Sequence, residues 1–269
     1  MMEILQVDKS RILYPANEEK TAALLCKIVK KNDQLMLESW GLNTPDNLCI
    51  LIMNSWQEYL DYAPPKNWQL IIKILSPILY QRFERIWPLI GGWEQRFGTR
   101  RTVGLKPPEL LVKSKNNIGE EIFITINDSY VKFQLNACHE LTHAYSAHLN
   151  LPSWLKEGIA MVSADRYIKR QTVKQSTLNK LGETASTNNP RTYRKIHVTN
   201  PGELIYFYIC SYWATRLIEE TQPGLIKSLL AKRLSHKEFE TQLSAAYNVD
   251  LTEFWNRTNQ LAIIQFQEV

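Results

Sequence analysis

CHELTHAYSAHLNLPSWLKEGIA, residues 138–160 of a 269-residue chain, centres on the pentapeptide His139-Glu140-Leu141-Thr142-His143. On a helix turning about 100° per residue, two histidines four apart differ by about 40° in bearing and by one turn in height, so both imidazoles can face one ion. Glu140, beside the first histidine, can reach a water on that ion's open side without being a ligand, as the general base of peptide hydrolysis must. Five His and twenty Glu in 269 residues produce this pattern by chance in roughly one chain in a hundred. Asn150-Leu151-Pro152-Ser153 then ends the helix, with Ser153 expected to cap a second helix opening at Trp154-Leu155-Lys156-Glu157-Gly158. From there Glu157 can fold back onto the ion. Two imidazoles, one carboxylate and a water form the open set through which zinc lowers its water's pKa to about 7.

HELTH followed by LPSWLKEGIA resembles the gluzincin branch of zinc metallopeptidases, most closely the peptidase MA-like domains. The resemblance implies an α+β, zincin-like fold: a small mixed sheet packed on the HExxH helix, a helical C-terminal lobe, and a cleft between lobes. It implies one Zn²⁺ held by His139, His143 and Glu157, the last being the Glu of a W-L-x-E-G-x-A segment, with Glu140 as base. Tyr208-Ile209-Cys210-Ser211-Tyr212 resembles the Y-x-x-S-Y stretch of the same domains. By that alignment Tyr208 donates a hydrogen bond to the tetrahedral oxyanion, a role worth about 2.7–4 kcal/mol when preorganised. Tyr212, one turn on, is the competing choice, and an aromatic core containing both is the structural one. Asp165, eight residues after Glu157, is a candidate to accept a hydrogen bond from a ligand imidazole. Some gluzincins place such an Asp four residues after the ligand Glu, where this chain has Met161.

A metzincin would need Gly three residues after the second His and a third His three after that, where Ser146 and Leu149 stand. His148 misses that register by one and lies half a turn from His139, so it is read as surface or structural. Cys138 is about 100° from His139 and is read as a core residue rather than a ligand.

The hydrophobic share of 44% and the aromatic share of 10% suffice for a buried core. The N-terminus, MMEILQVDKSRILYP, lacks the basic and apolar regions of a signal peptide. The most apolar region, Leu70 to Ile90, is interrupted by Lys73, Arg82, Glu84 and Arg85, so it reads as buried or amphipathic rather than as a membrane span. Cys26, Cys49, Cys138 and Cys210 form no C-x-x-C pair, which suits reduced thiols and a cytoplasmic location. The net charge is +5, and eight Lys or Arg between Arg166 and His197 face the single Glu183. An acidic substrate, nucleic acid or a membrane surface would suit such a patch, but the stretch from Gly182 has no apolar period and reads as a solvated loop. No aromatic-interleaved nucleic-acid platform, Gly-rich phosphate loop or internal repeat is visible.

Asn17 can cap a helix striped by Ala22, Leu25, Ile28 and Val29 that runs to Gly41. Leu48 to Met53 is an apolar run of strand length. Trp56 to Tyr62 and Trp68 to Trp87 read as helices, the second kinked or split at Pro77. Thr102 to Leu105, Glu109 to Val112 and Glu121 to Ile126 read as short strands. In gluzincins a strand in the last position is an edge that pairs with extended substrate, and Ile122-Phe123-Ile124-Thr125-Ile126 stands there; an internal strand is the other reading. Helices are expected over Val131–Asn150, Ser153 to about Tyr167, Gly202–Glu220, Leu225–Ala231, Lys237–Tyr247 and Thr252–Ile264. Val249-Asp250-Leu251-Thr252-Glu253-Phe254-Trp255 resembles the family's closing element. The expected organisation is an N-terminal α/β part over 1–167, a polar basic loop over 168–201 and a helical lobe over 202–269, together one catalytic unit.

The function expected from these readings is zinc-dependent hydrolysis of a peptide or protein substrate, without nucleic acid or a membrane span. A catalytically inactive, zinc-bearing peptide-binding module is the alternative, and a helix pair without metal is a third reading.

Overall fold

The computed structural model describes residues 2–113, 117–183 and 201–267. In chain order the elements are β1 (Met2–Val7), β2 (Ser10–Pro15), α1 (Glu19–Trp40), β3 (Leu48–Ile52), α2 (Trp56–Tyr62), α3 (Lys66–Ile86), β4 (Gly92–Phe97), β5 (Arg100–Leu105) and α4 (Pro108–Lys113). They continue with α5 (Asn117–Ile122), α6 (Ser129–Ser146), α7 (Ser153–Ile168), α8 (Leu178–Glu183), α9 (Pro201–Thr221), α10 (Leu225–Leu230), α11 (His236–Ala246) and α12 (Phe254–Phe266). The class is α+β, with one five-stranded mixed sheet. Two compact units share the chain. The first draws on Met1–Met36, Leu42–Asn117 and Thr125–Tyr145, the second on Leu37–Gly41, Ile118–Ile124 and Ser146–Val269.

The first unit is built around β3. Its five residues LCILI are all buried, and it runs parallel to β2 on one side and β5 on the other. A strand covered on both faces needs this continuous apolar run rather than alternation. Parallel β2 and β3 require a crossover, which α1 supplies, burying Ala22, Leu25, Ile28, Val29 and Met36 at helical spacing. Antiparallel β1 and β4 close the sheet, in the order β1-β2-β3-β5-β4. Both outer strands join by two-residue turns, where Asp8 (φ 48°) and Gly98 (φ 61°) take the left-handed backbone such turns demand. A cluster of Met53, Trp56, Tyr59 and Phe97 packs beside the sheet, with Trp93 edge-on to Trp56 at 5.5 Å.

Three expectations in this region are corrected. Helix α3, expected to be kinked or split at Pro77, is not split: it is one helix with Pro77 inside it. Glu109 to Val112 belongs to α4, because Pro108 at a helix start forfeits an N–H that has no intrahelical partner in any case. Glu121 to Ile126 is not a strand. Helix α5 runs to Ile122, Phe123 donates its N–H to Gly119 O at 2.8 Å, and one antiparallel bridge, Phe123 to Val173, is the pairing that follows. Helix α6 starts at Ser129, where Asp128 Oδ1 accepts from the N–H groups of Tyr130 and Val131 at 2.8 and 3.1 Å. It ends at Ser146 rather than Asn150.

The second unit is mostly helical. Helices α7 and α9 approach so closely at Gly158 that a Cβ there would stand 1.9 Å from Thr215 Oγ1 and 2.4 Å from Ser211 O. Trp154 meets Trp255 edge-on at 5.0 Å, and Trp213 Nε1 donates to Thr177 Oγ1 at 2.9 Å. Ser235 and Glu238 form a reciprocal cap that starts α11. Of the expected polar loop, Leu178–Glu183 is α8, and residues 184–200 lie outside the described ones. Among the described residues no helix is long and apolar enough to cross a membrane.

Candidate metal centre

Helix α6 divides its side chains by bearing. Cys138, Leu141, Thr142, Ala144 and Tyr145 are buried, while His139, Glu140 and His143 are half-buried. Cys138 Sγ donates to Asn32 Oδ1 on α1 at 3.2 Å, and burial pushes its thiol well up from the ordinary range. It is a core residue, as its bearing implied. The two imidazoles stand edge to face, their rings 4.7 Å apart, with Nε2 of His139 3.1 Å from Nε2 of His143.

Glu157 is on the first turns of α7. Pro152 holds an extended backbone (φ −54°, ψ 143°) at the position before the helix, and its carbonyl accepts from Leu155 N and Lys156 N, both at 3.1 Å. Ser153 is therefore the first helical residue and makes no side-chain cap, contrary to the expectation. Trp154, Leu155 and Gly158 around Glu157 are buried. One donor atom each from His139, His143 and Glu157 lies within 4.8 Å of the others, a cluster that could hold a metal ion. Two imidazole nitrogens and one carboxylate form a chemically coherent donor set for a divalent ion.

Glu140 has a neighbour that the sequence reading did not identify. A Cβ on Gly92, the first residue of β4, would stand 2.5 Å from Glu140 Cγ and 3.0 Å from Gly104 O. A Cβ on Gly91 would stand 2.3 Å from Oδ1 of Asn136, one turn before Glu140 on α6. The two glycines let this face of α6 rest on the start of an edge strand. The signal in the sequence is the Gly91-Gly92 pair itself.

Asp165 and Tyr212, both candidates, meet each other. Tyr212 Oη donates to Asp165 Oδ2 at 2.6 Å, while Asp165 Oδ1 accepts from Thr172 N at 2.7 Å and Thr172 Oγ1 at 2.6 Å. Burial raises the Asp165 carboxyl, opposed by these hydrogen bonds, and burial together with the Asp165 charge raises the Tyr212 phenol. Arg216 Nη1 donates to Tyr212 Oη at 3.2 Å and to Gln171 Oε1 at 2.6 Å. Tyr208 is half-buried on α9, its ring 5.8 Å from that of Phe207. His148 is exposed. Comparison with protein-family models gives no match to the chain, and comparison with curated proteins gives none either.

Proposed function

We propose that the chain is a zinc-dependent metallopeptidase of the gluzincin kind, with His139, His143 and Glu157 as the ligands of one ion. The observation that carries this reading is the convergence of those three side chains at donor-atom distances of 4.8 Å or less. A zinc ion held there would supply an acidified water and a Lewis acid for a peptide carbonyl. Glu140 takes the proton of the attacking water and passes it to the departing amine nitrogen, so that water and peptide give a carboxylic acid and an amine. Tyr208 donates to the developing oxyanion. Strand β4 gives an extended substrate an edge to pair with, in place of the segment 122–126.

Three substitutions test this. Glu140→Gln keeps the ligands, so bound zinc should stay stoichiometric while hydrolysis of a peptide library falls by about two orders of magnitude or more. Glu157→Gln removes the only anionic ligand and should lower zinc content itself. Tyr208→Phe should keep zinc and slow turnover. Zinc lost from Glu140→Gln and kept in Glu157→Gln would reverse the assignment of base and ligand. Stoichiometric zinc with no turnover of any peptide by the unaltered chain would leave the peptide-binding module standing, and an empty site after zinc-replete purification would leave the metal-free helix pair.

A further inference from the structure

Helix α3 leaves four large aliphatic side chains in solvent. Leu70 is 70% exposed, Ile74 69%, Ile71 48% and Leu75 42%. At about 100° per residue they occupy one arc of about 140°. Trp68 and Ile72, at bearings about 20° and 60° beyond the other edge of that arc, pack against the cluster around Trp56. The helix is thus docked along a narrow stripe, with a broad apolar face turned outward. Isolated exposed apolar residues are ordinary on a protein surface, whereas a contiguous aliphatic face on one helix marks an interaction site.

Charge and area identify the occupant. Lys66 and Lys73 are exposed, with bearings about 40–60° beyond one edge of the aliphatic arc, and the one acidic residue of α3, Glu84, lies near its other end, about five turns from Lys66. The four side chains offer on the order of 200–300 Å² of apolar surface, taking a buried Leu or Ile as the unit. A stable protein interface needs about 800 Å² per partner. A bilayer surface needs no matching partner face, accepts an aliphatic arc at the boundary of headgroups and acyl chains, and rewards flanking lysines where the lipids are anionic.

We propose that α3 is a membrane-surface helix that lies on an anionic lipid bilayer, with Leu70, Ile71, Ile74 and Leu75 among the upper acyl chains and Lys66 and Lys73 at the phosphates. The helix lies flat and spans nothing. This binding does not depend on the metal centre, so it stands or falls separately from the peptidase reading.

Sedimentation of the full chain with lipid vesicles tests it. The chain should sediment with vesicles of phosphatidylcholine and phosphatidylglycerol, and much less with phosphatidylcholine alone. Raising salt from low to molar concentration should weaken the binding. Leu70→Gln with Ile74→Gln should reduce vesicle affinity by about tenfold or more, and Lys66→Gln with Lys73→Gln by severalfold. Because all four positions are exposed, circular dichroism and zinc content should match the unaltered chain in both variants. The proposal fails if the unaltered chain stays in the supernatant with anionic vesicles, or if the aliphatic variant sediments as well as the parent. It also fails if ultracentrifugation without lipid shows a dimer that the aliphatic variant abolishes, which would assign the face to a second copy of the chain.

Discussion

At Gly92 a hydrogen atom is the largest side chain that fits, because a Cβ would stand 2.5 Å from Glu140 Cγ. Gly92→Ala should therefore displace Glu140 while leaving His139, His143 and Glu157 untouched. The expected result is unchanged zinc content, at least a tenfold loss of hydrolysis, and about 1–3 kcal/mol less stability from overpacking. Adding Glu140→Ala removes the opposing Cγ and should restore most of that stability; strictly additive losses in the double variant would show that the contact does not set the carboxylate's position. Lys106, whose N–H donates to Gly91 O, is 1% exposed; its Nζ donates to Trp87 O and lies 4.3 Å from the Trp87 ring centre. Burial lowers its pKa from 10.5 to about 8. Below pH 8 the ammonium is charged in both folded and unfolded chains. Between about pH 8 and 10.5 the folded chain has released a proton that the unfolded chain still holds, so this group's contribution to stability rises with pH, by at most about 3 kcal/mol. In Lys106→Met that rise should be missing, and denaturation curves for the two proteins that stay a constant distance apart across the window would refute the assignment.

At the scale of elements, the clasp around Asp165 separates two roles that the sequence could not. As the partner of a ligand imidazole, Asp165 would change metal affinity by about 10–100-fold when removed. With its oxygens held by Thr172 and Tyr212, Asp165→Ala should instead cost about 1–3 kcal/mol of stability through unsatisfied buried partners. Zinc affinity should stay within about threefold; a tenfold weakening would restore the metal-supporting role. What was legible follows the same logic of local against distant causes. Helices α1, α2, α6 and α7 carried their own period and stop signals, and β3 its unbroken apolar run. Strands β1 and β4 did not: GWEQRF places charged Glu94 and Arg96 in an edge strand, and the Asp8-Lys9 turn lacks the glycine that marks a hairpin. Glu121 to Ile126 has strand composition, yet the turn through Gly119 wins because the segment finds a single bridging partner, at Val173.

For the whole molecule, the α+β class was legible from the succession of strands and helices, whereas the order of strands was not, since β4 takes an edge through its pairing with β5. The His139, His143 and Glu157 cluster was legible because its members sit within 19 residues of chain. Gly92 was not, because its contact with Glu140 crosses 48 residues of chain. A metal bound to donors on α6 and α7 has a consequence for the stability of the folded chain that can be read without any substrate. An ion that binds the folded form and not the unfolded one stabilises it by RT ln(1 + [L]/Kd), about 2.7 kcal/mol at a hundredfold excess over Kd. Zinc should therefore raise the thermal midpoint of the unaltered chain in proportion to the logarithm of free zinc, and chelation should reverse the rise. Glu140→Gln should show the same dependence, since its carboxylate is not a ligand. Glu157→Gln should need much more zinc for the same shift, and His139→Ala with His143→Ala should show none. A midpoint indifferent to zinc in the unaltered chain would remove the metal site and the peptidase reading with it, whereas a full zinc-linked rise in a chain that cleaves nothing would keep the site and remove only the chemistry.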